Sequence, residues 1–286
     1  MLYMRLSKKM SKRAERTSEV YKDVRDFYDG YGWKSAEKND CYQAEVLHEH
    51  LNETARAYMK SNEMRYSKYY GDGGRLFLDA GCGAEPRREM SSAFAKCVCA
   101  DVSLVGLKES RKKLKDSGLY VVADLAALPF KKKSFDGILV SHCVYHIDKD
   151  LQPLVIRELY KLAKPEKTIL IFYASNRNLV SVFQAVGIKT YKLVMLLLRL
   201  VRRKRVEDEK TPPPLYYYIH NPFKLTRAFD EVDITCLRIL TRWETTALAK
   251  LKLLKLVVPL LSFLERKFPH LMLYIGKYVT IRIRAQ

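Results

Sequence analysis

The sequence predicts an α/β fold built on an open, mostly parallel sheet, and three observations carry that expectation. From Arg75 onward, short β-rich runs alternate with helix-length gaps, the pattern of βαβ units. The first run ends in two glycines one residue apart, LDAGCGAEP over 78–86, where stripped backbone approaches a ligand closely and a following helix turns its N-terminus toward it. The next runs end in Asp101, in Asp124 and in Ser141-His142, and ligands of open parallel sheets bind beyond such strand ends.

Taken in order, residues 1 to about 70 are polar and rich in Lys, Glu and Tyr, with a break at FYDGYGW (27–33). They read as a helical lead-in. The strand candidates are LFLDA (76–80), KCVCAD (96–101), LYVVAD (119–124), GILVS (137–141) and TILIFY (168–173). After the second, Ser103 caps a helix on which Leu104, Leu107 and Leu114 share a face before Gly118 stops it. After the fourth, Leu151, Leu154, Val155, Leu159 and Leu162 recur at helical spacing until Pro165. Beyond residue 175 the βα repeat gives way to a basic apolar helix at about 189–206, a link VEDEKTPPP and the segment LYYYIHNPFKLTRAF. This reads as an insertion. Two further strand candidates, CLRILTRW (236–243) and YVTIRIRA (278–285), flank a Leu/Lys-rich stretch at 247–267. The expected organisation is therefore a helical lid region (1–70), a core (71–175), a basic and apolar insertion (176–232) and C-terminal elements completing the sheet (233–286).

Composition narrows the partners. The chain has 286 residues, 48% of them hydrophobic, and a net charge of +20, so it can bury a core and presents a positive field to anionic partners. Six cysteines without CxxC pairs argue against a zinc site or a disulfide framework and for reduced thiols in the cytoplasm. The N-terminal segment is basic and lacks the apolar region of a signal peptide. No apolar run reaches the roughly 18 residues of a membrane span; the nearest, LVMLLLRLV (193–201), is interrupted and followed by arginines.

The glycine turn does not fit a dinucleotide pyrophosphate, because the third glycine of that fingerprint is replaced by Pro86 and an acidic residue, Asp79, precedes the turn. Asp79 repels an anion and attracts an amine or cation, while Asp101, close to 20 residues on, has the position of a carboxylate accepting ribose hydroxyls. The ligand expected is a nucleoside with a positively charged part. LDAGCGAEP, CADVS, ADLAALPFKKKSFDGILVS and RELYKLAKPEKTILI resemble the successive motifs of class I S-adenosylmethionine-dependent methyltransferases. The resemblance covers about residues 75–175. It implies a Rossmann-like sheet of seven strands with helices on both faces, the 278–285 strand entering antiparallel. It also implies S-adenosyl-L-methionine as cofactor, with Asp79, Ala80, Gly81 and Gly83 at the methionine end, Asp101 and Val102 at the ribose, Asp124 and Leu125 at the adenine, and Ser141 and His142 at the reaction centre. Glu85, and Pro165-Glu166-Lys167 before the fifth strand, depart from the family's usual glycines.

The rest of the chain bears on the acceptor. Methyl transfer to a hydroxyl needs a base, for which histidine is suited; the candidates are His142, His146 and His220, His146 also matching an architectural position of the family. Tyr28, Tyr31 and Trp33 resemble aromatic lids that close over the cofactor, or else belong to a helix packing on the domain, and Tyr216, Tyr217 and Tyr218 offer either a substrate wall or packing. YKLVMLLLRLVRRKR (191–205) and ALAKLKLLKLVVPLL (247–261) suit an anionic membrane interface, at about 1 kcal/mol per basic residue near the surface, or else helix packing. The reading favoured is methyl transfer to a small-molecule or lipid-linked acceptor by a cytoplasmic protein peripheral to a membrane. RNA methylation, which the positive charge suits, and a non-catalytic cofactor-binding scaffold are the alternatives.

Overall fold

Where β-rich runs alternate with helix-length gaps, the chain forms one seven-stranded sheet. The structure, a computed structural model, describes residues 18–35, 42–44, 52–175 and 213–286, the side chains of residues 242 and 243 excepted. Strands β1 (Gly74–Ala80), β2 (Phe94–Asp101), β3 (Gly118–Val122), β4 (Gly137–Ser141), β5 (Thr168–Ala174), β6 (Val232–Arg238) and β7 (Tyr278–Arg284) lie in the order β3-β2-β1-β4-β5-β7-β6. The first five pair in parallel, and β7 runs antiparallel between β5 and β6, as the resemblance implied. Strand order reverses between β1 and β4, which opens a crevice beyond their carboxyl ends. Ala80 is in register with Ala100 and Val140, so Gly81, Asp101 and Ser141 emerge into that crevice at one level.

Both faces of the central strands are covered, which explains why they read as continuous apolar runs. On one face Leu78, Ile138, Val140, Ile169 and Ile171 pack with Val155, Ile156 and Leu159 of the helix α5 (Gln152–Leu162). On the other, Phe77, Leu139, Leu170 and Phe172 pack with Leu107 and Leu114 of α4 (Leu104–Leu114), whose Ser103 cap accepts from the Gly106 N–H. Cys97 and Cys99 are buried in the same cluster. Two expected core positions face outward. Leu104 and Leu154 are about half exposed, and Ile156 is buried instead of Leu154, because two residues of a helix turn the side chain by about 200°, to the opposite face.

The expected strand over 236–243 is displaced. It begins at Val232 and ends at Arg238, and a helix α7 (Arg242–Lys250) follows. Thr241 and Glu244 form a capping box, the Thr241 N–H reaching Glu244 Oε2 at 2.8 Å, so this Thr-x-x-Glu pair starts a helix where the sequence reading continued a strand. The Leu/Lys-rich stretch ends in α8 (Leu254–Lys267). The helix expected at 189–206 lies outside the described residues.

The lead-in is helical in α1 (residues 18–27) and again in α2 (Glu53–Met64), capped by Asn52, and two short helices, α3 (Arg88–Ser91) and α6 (Pro222–Leu225), lie further along the chain. A buried polar network fixes α2 to the C-terminal elements. Glu265 of α8 accepts from the Tyr58 hydroxyl, from Asn62 Nδ2 at 2.9 Å and from the Ile239 N–H at 2.7 Å, while Arg65 donates to the Cys236 and Leu237 carbonyls. The last turn of α2 is thereby held over the carboxyl ends of β4 and β6.

Candidate functional site

A cavity of about 410 Å³ occupies the crevice at the switch point. Its floor is the turn after β1, where Gly81 and Gly83 adopt φ of 73° and 55°, a region that side chains disfavour. A Cβ on Gly81 would lie 2.4 Å from Cys143 Sγ, and one on Gly83 2.1 Å from Trp33 Cζ2. Both backbone shape and neighbours therefore require glycine. Ala80 is wholly buried in β1 and sets the turn without facing the cavity, and Gly83 sits beneath Trp33.

Three carboxylates line this half. Asp79 is 1% exposed; its Oδ2 accepts the Arg87 N–H at 2.8 Å, and its Oδ1 is buried with no hydrogen-bond partner. Burial pushes its pKa up to about 6, against the Arg87 N–H and guanidinium. A buried carboxylate oxygen without a donor suits an ammonium group. Asp101 accepts the Gly83 N–H on Oδ2 and the Ser103 N–H on Oδ1, each at 2.8 Å. Burial raises it to about 6 despite those bonds, and each oxygen keeps a second lone pair for a vicinal diol. Asp124 accepts the Ala126 N–H at 2.9 Å, shaping the short turn that brings Leu125 to the wall. Val102 lines the cavity beside Asp101. Over these groups Tyr28 stacks on Trp33 with ring centroids 5.0 Å apart. An ammonium seat, a diol acceptor and an aromatic cover together fit S-adenosylmethionine.

The far half of the cavity holds a buried ionic cluster. Glu63, at the end of α2, meets Arg87 Nε at 3.3 Å, His142 Nε2 at 3.2 Å and Arg238 Nη1 at 3.7 Å. Burial would raise the Glu63 carboxyl, but Arg87, the His142 hydrogen bond and Arg238 outweigh it and bring it to about 2. His142 moves the other way, to about 4, because burial and the two guanidinium groups outweigh Glu63. Its backbone has φ 57°, uncommon outside glycine, and its N–H is pinned to the Phe172 carbonyl at 3.0 Å. Arg238 is 5% exposed, with its guanidinium 4.2 Å from the Tyr278 ring centroid. Ser141 accepts from Arg87 Nη2 at 3.3 Å.

The structure thus brings Asp79, Gly81, Asp101, Val102, Asp124, Leu125, Ser141, Tyr28, His142 and His146 to one cavity. His146 lies on its wall with Nδ1 2.8 Å from the Tyr216 carbonyl. His220 is off the wall: its Nε2 is 2.7 Å from the Lys149 carbonyl, and it lies beside the Tyr218 ring. Tyr217 packs on Tyr145 at 5.0 Å. Sequence reading missed Glu63, Arg87, Arg238 and Tyr278. Arg238 carried a signal, a charge inside the apolar run ITCLRIL; Glu63 carried none, being one acid of a polar helix.

Residues 78–171 match the family described as "Methyltransferase domain". No curated protein sequence matches the chain. Among solved structures, the chain is similar to the DhpI–SAH complex, at 10% identity and a TM-score of 0.55 over 93% of this chain and 97% of that one. It is also similar to a SAM-dependent methyltransferase from Archaeoglobus fulgidus, at 17% identity and a TM-score of 0.47 over 80% and 94%. The match to the YcgJ protein of Bacillus subtilis, at 17% identity and a TM-score of 0.36, covers 42% of this chain and about half of that one, 52%.

Proposed function

We propose that the chain, whose residues 78–171 match a methyltransferase domain, is a class I S-adenosylmethionine-dependent methyltransferase that transfers a methyl group to a small-molecule or lipid-linked acceptor. One observation carries the reading: a single cavity joins the glycine turn and its carboxylates to a second half walled by Tyr145, Tyr278 and the Glu63 cluster. S-Adenosylmethionine supplies a methyl group on a cationic sulfur. Asp79 would take its amino group, Asp101 its ribose hydroxyls, and Asp124 with Leu125 would flank the adenine. The helical lead-in (1–70), through Tyr28 and Trp33, would cover it. The aromatic second half suits an acceptor with an apolar or ring-shaped body.

A membrane-side location for this chemistry is supported by α8. Leu253, Leu256, Leu260 and Phe263 fall on one stripe and are exposed, Leu256 by 74%, with Lys250, Lys252, Lys255, Arg266 and Lys267 beside them. An exposed apolar stripe flanked by cations suits the interface of an anionic bilayer. No helix among the described residues is long and apolar enough to cross a membrane. The +20 charge also suits RNA, so the acceptor is tested directly. Calorimetry with S-adenosylmethionine comes first, then labelled methyl transfer to a total lipid extract and to total RNA. Label entering lipid is expected. Label entering RNA makes the protein an RNA methyltransferase; binding without transfer to lipid, to RNA or to panels of small-molecule sugars and phenols leaves a cofactor-binding scaffold.

A further inference from the structure

The ionic cluster at the far end of the cavity has a chemistry that cofactor binding does not explain. Glu63 is ionised and can only accept, so the hydrogen between it and His142 belongs to Nε2. A ring neutral at pH 7 with Nε2–H then carries its lone pair on Nδ1. That Nδ1 is buried and has no hydrogen-bond partner. Unsatisfied buried groups of this kind call for an explanation, and one is a ligand that donates to them. His142 stands where β4 ends, lining the cavity with Asp79 and Gly81, and is held there by a positive-φ backbone; such local strain collects at functional sites.

Resting on the methyltransferase reading, we propose that the acceptor is a hydroxyl group, that His142 is the base which takes its proton on Nδ1, and that Glu63 is the positioning residue which fixes the tautomer. The reaction balances without another reactant. The acceptor O–H bond breaks as the O–CH₃ bond forms, the proton goes to Nδ1, and the sulfur keeps the C–S bonding pair. The resulting imidazolium faces Glu63, which stabilises it, and Arg87 and Arg238, which oppose it and drive proton release once product leaves. Two guanidinium groups against one carboxylate also disfavour an ammonium acceptor at this end. The groups facing the ring are Glu63 from α2, Arg87 after the glycine turn, Arg238 from β6, Tyr278 from β7 and Tyr145 after β4.

The decisive measurement needs no acceptor. In protein labelled with ¹⁵N-histidine, long-range ¹H–¹⁵N spectra assigned with a His142→Gln variant should show His142 neutral at pH 7 as the Nε2–H tautomer. An Nδ1–H tautomer or an imidazolium at that pH overturns the proposal. Glu63→Gln should lose the tautomer preference and Glu63→Asp should restore part of it; a preference unchanged in Glu63→Gln removes Glu63 from its role. Methyl transfer to a lipid extract, a panel of sugars and a panel of phenols then reads the acceptor. His142→Gln should lower transfer by about a hundredfold or more while S-adenosylhomocysteine still binds, and the label should sit in an ether, on sugar or phenol according to the panel that accepts it. Label on nitrogen, or transfer undiminished in His142→Gln, overturns the proposal. Wild-type protein that fails to bind S-adenosylhomocysteine refutes the methyltransferase reading instead, whatever the tautomer.

Discussion

Asp101 does two things at once: its oxygens tie the Gly83 and Ser103 N–H groups, and the same oxygens face the cavity. An Asp101→Asn substitution is isosteric but sets an amide NH₂ against the Gly83 or the Ser103 N–H, so one turn contact is lost and two charge-assisted bonds to a ribose are weakened, each worth about 1.5–3 kcal/mol. Calorimetry should show cofactor affinity lower by at least about tenfold; unchanged affinity removes the role. The same carboxylate predicts a pH dependence. Asp79 and Asp101 have pKa values raised to about 6 by burial, and a cationic ligand binds their ionised forms better. Below that value binding must displace protons, so affinity should fall as pH drops from 7 to 5, by about tenfold for each carboxylate engaged. A flat profile over that range contradicts the assignment of both.

At the scale of elements, the site depends on how α2 is seated, because Glu63 reaches the cavity from its last turn. The seat is Glu265 of α8, wholly buried, which holds Tyr58 and Asn62 of α2 and the backbone just after β6. Burial raises its carboxyl above the ordinary range, and its hydrogen bonds lower it only in part. Glu265→Ala would strand those donors, each at about 1–3 kcal/mol. Chemical denaturation should find a loss of about 2–4 kcal/mol, with Glu265→Gln milder because it keeps an acceptor. A loss below about 0.5 kcal/mol, the scale of an ordinary surface substitution, means that packing of Tyr58 and Met59 seats α2 without the network.

For the whole molecule the question is what the +20 charge meets. The exposed stripe of α8 and the cations beside it predict flotation with anionic liposomes, weaker at high salt because only the headgroup attraction is screened. Changing Leu256, Leu260 and Phe263 together to Ser should abolish flotation and leave cofactor affinity intact, since these residues are not on the cavity wall. The basic cluster Arg202, Arg203, Lys204 and Arg205 lies outside the described residues, and its replacement by Gln tests the insertion separately. Equal flotation with neutral and anionic vesicles, or none with either, assigns the stripe to a protein contact, with another segment of this chain or a second copy as its cover.

Periodicity sufficed for β1 to β5, and the strand ends it marked do line one cavity. β1 to β5, the GCG turn, Asp79, Asp101 and Asp124 are consecutive along the chain, and each strand delivers its terminal residue to the same edge of a parallel sheet. The lead-in aromatics Tyr28 and Trp33, singled out by resemblance, stack on each other at the cavity wall. β6 was misplaced because a capping box was read as strand. Glu63 and Arg238 were not legible as partners: they are 175 residues apart, and only the packing of α2 against α8 and the turn of β6 against β7 sets them within 3.7 Å. The sequence by itself determined the fold class and the strand ends that meet in one cavity. Tertiary structure decided which histidine meets a carboxylate, because a buried ion pair is a property of two surfaces brought together and not of any local spacing.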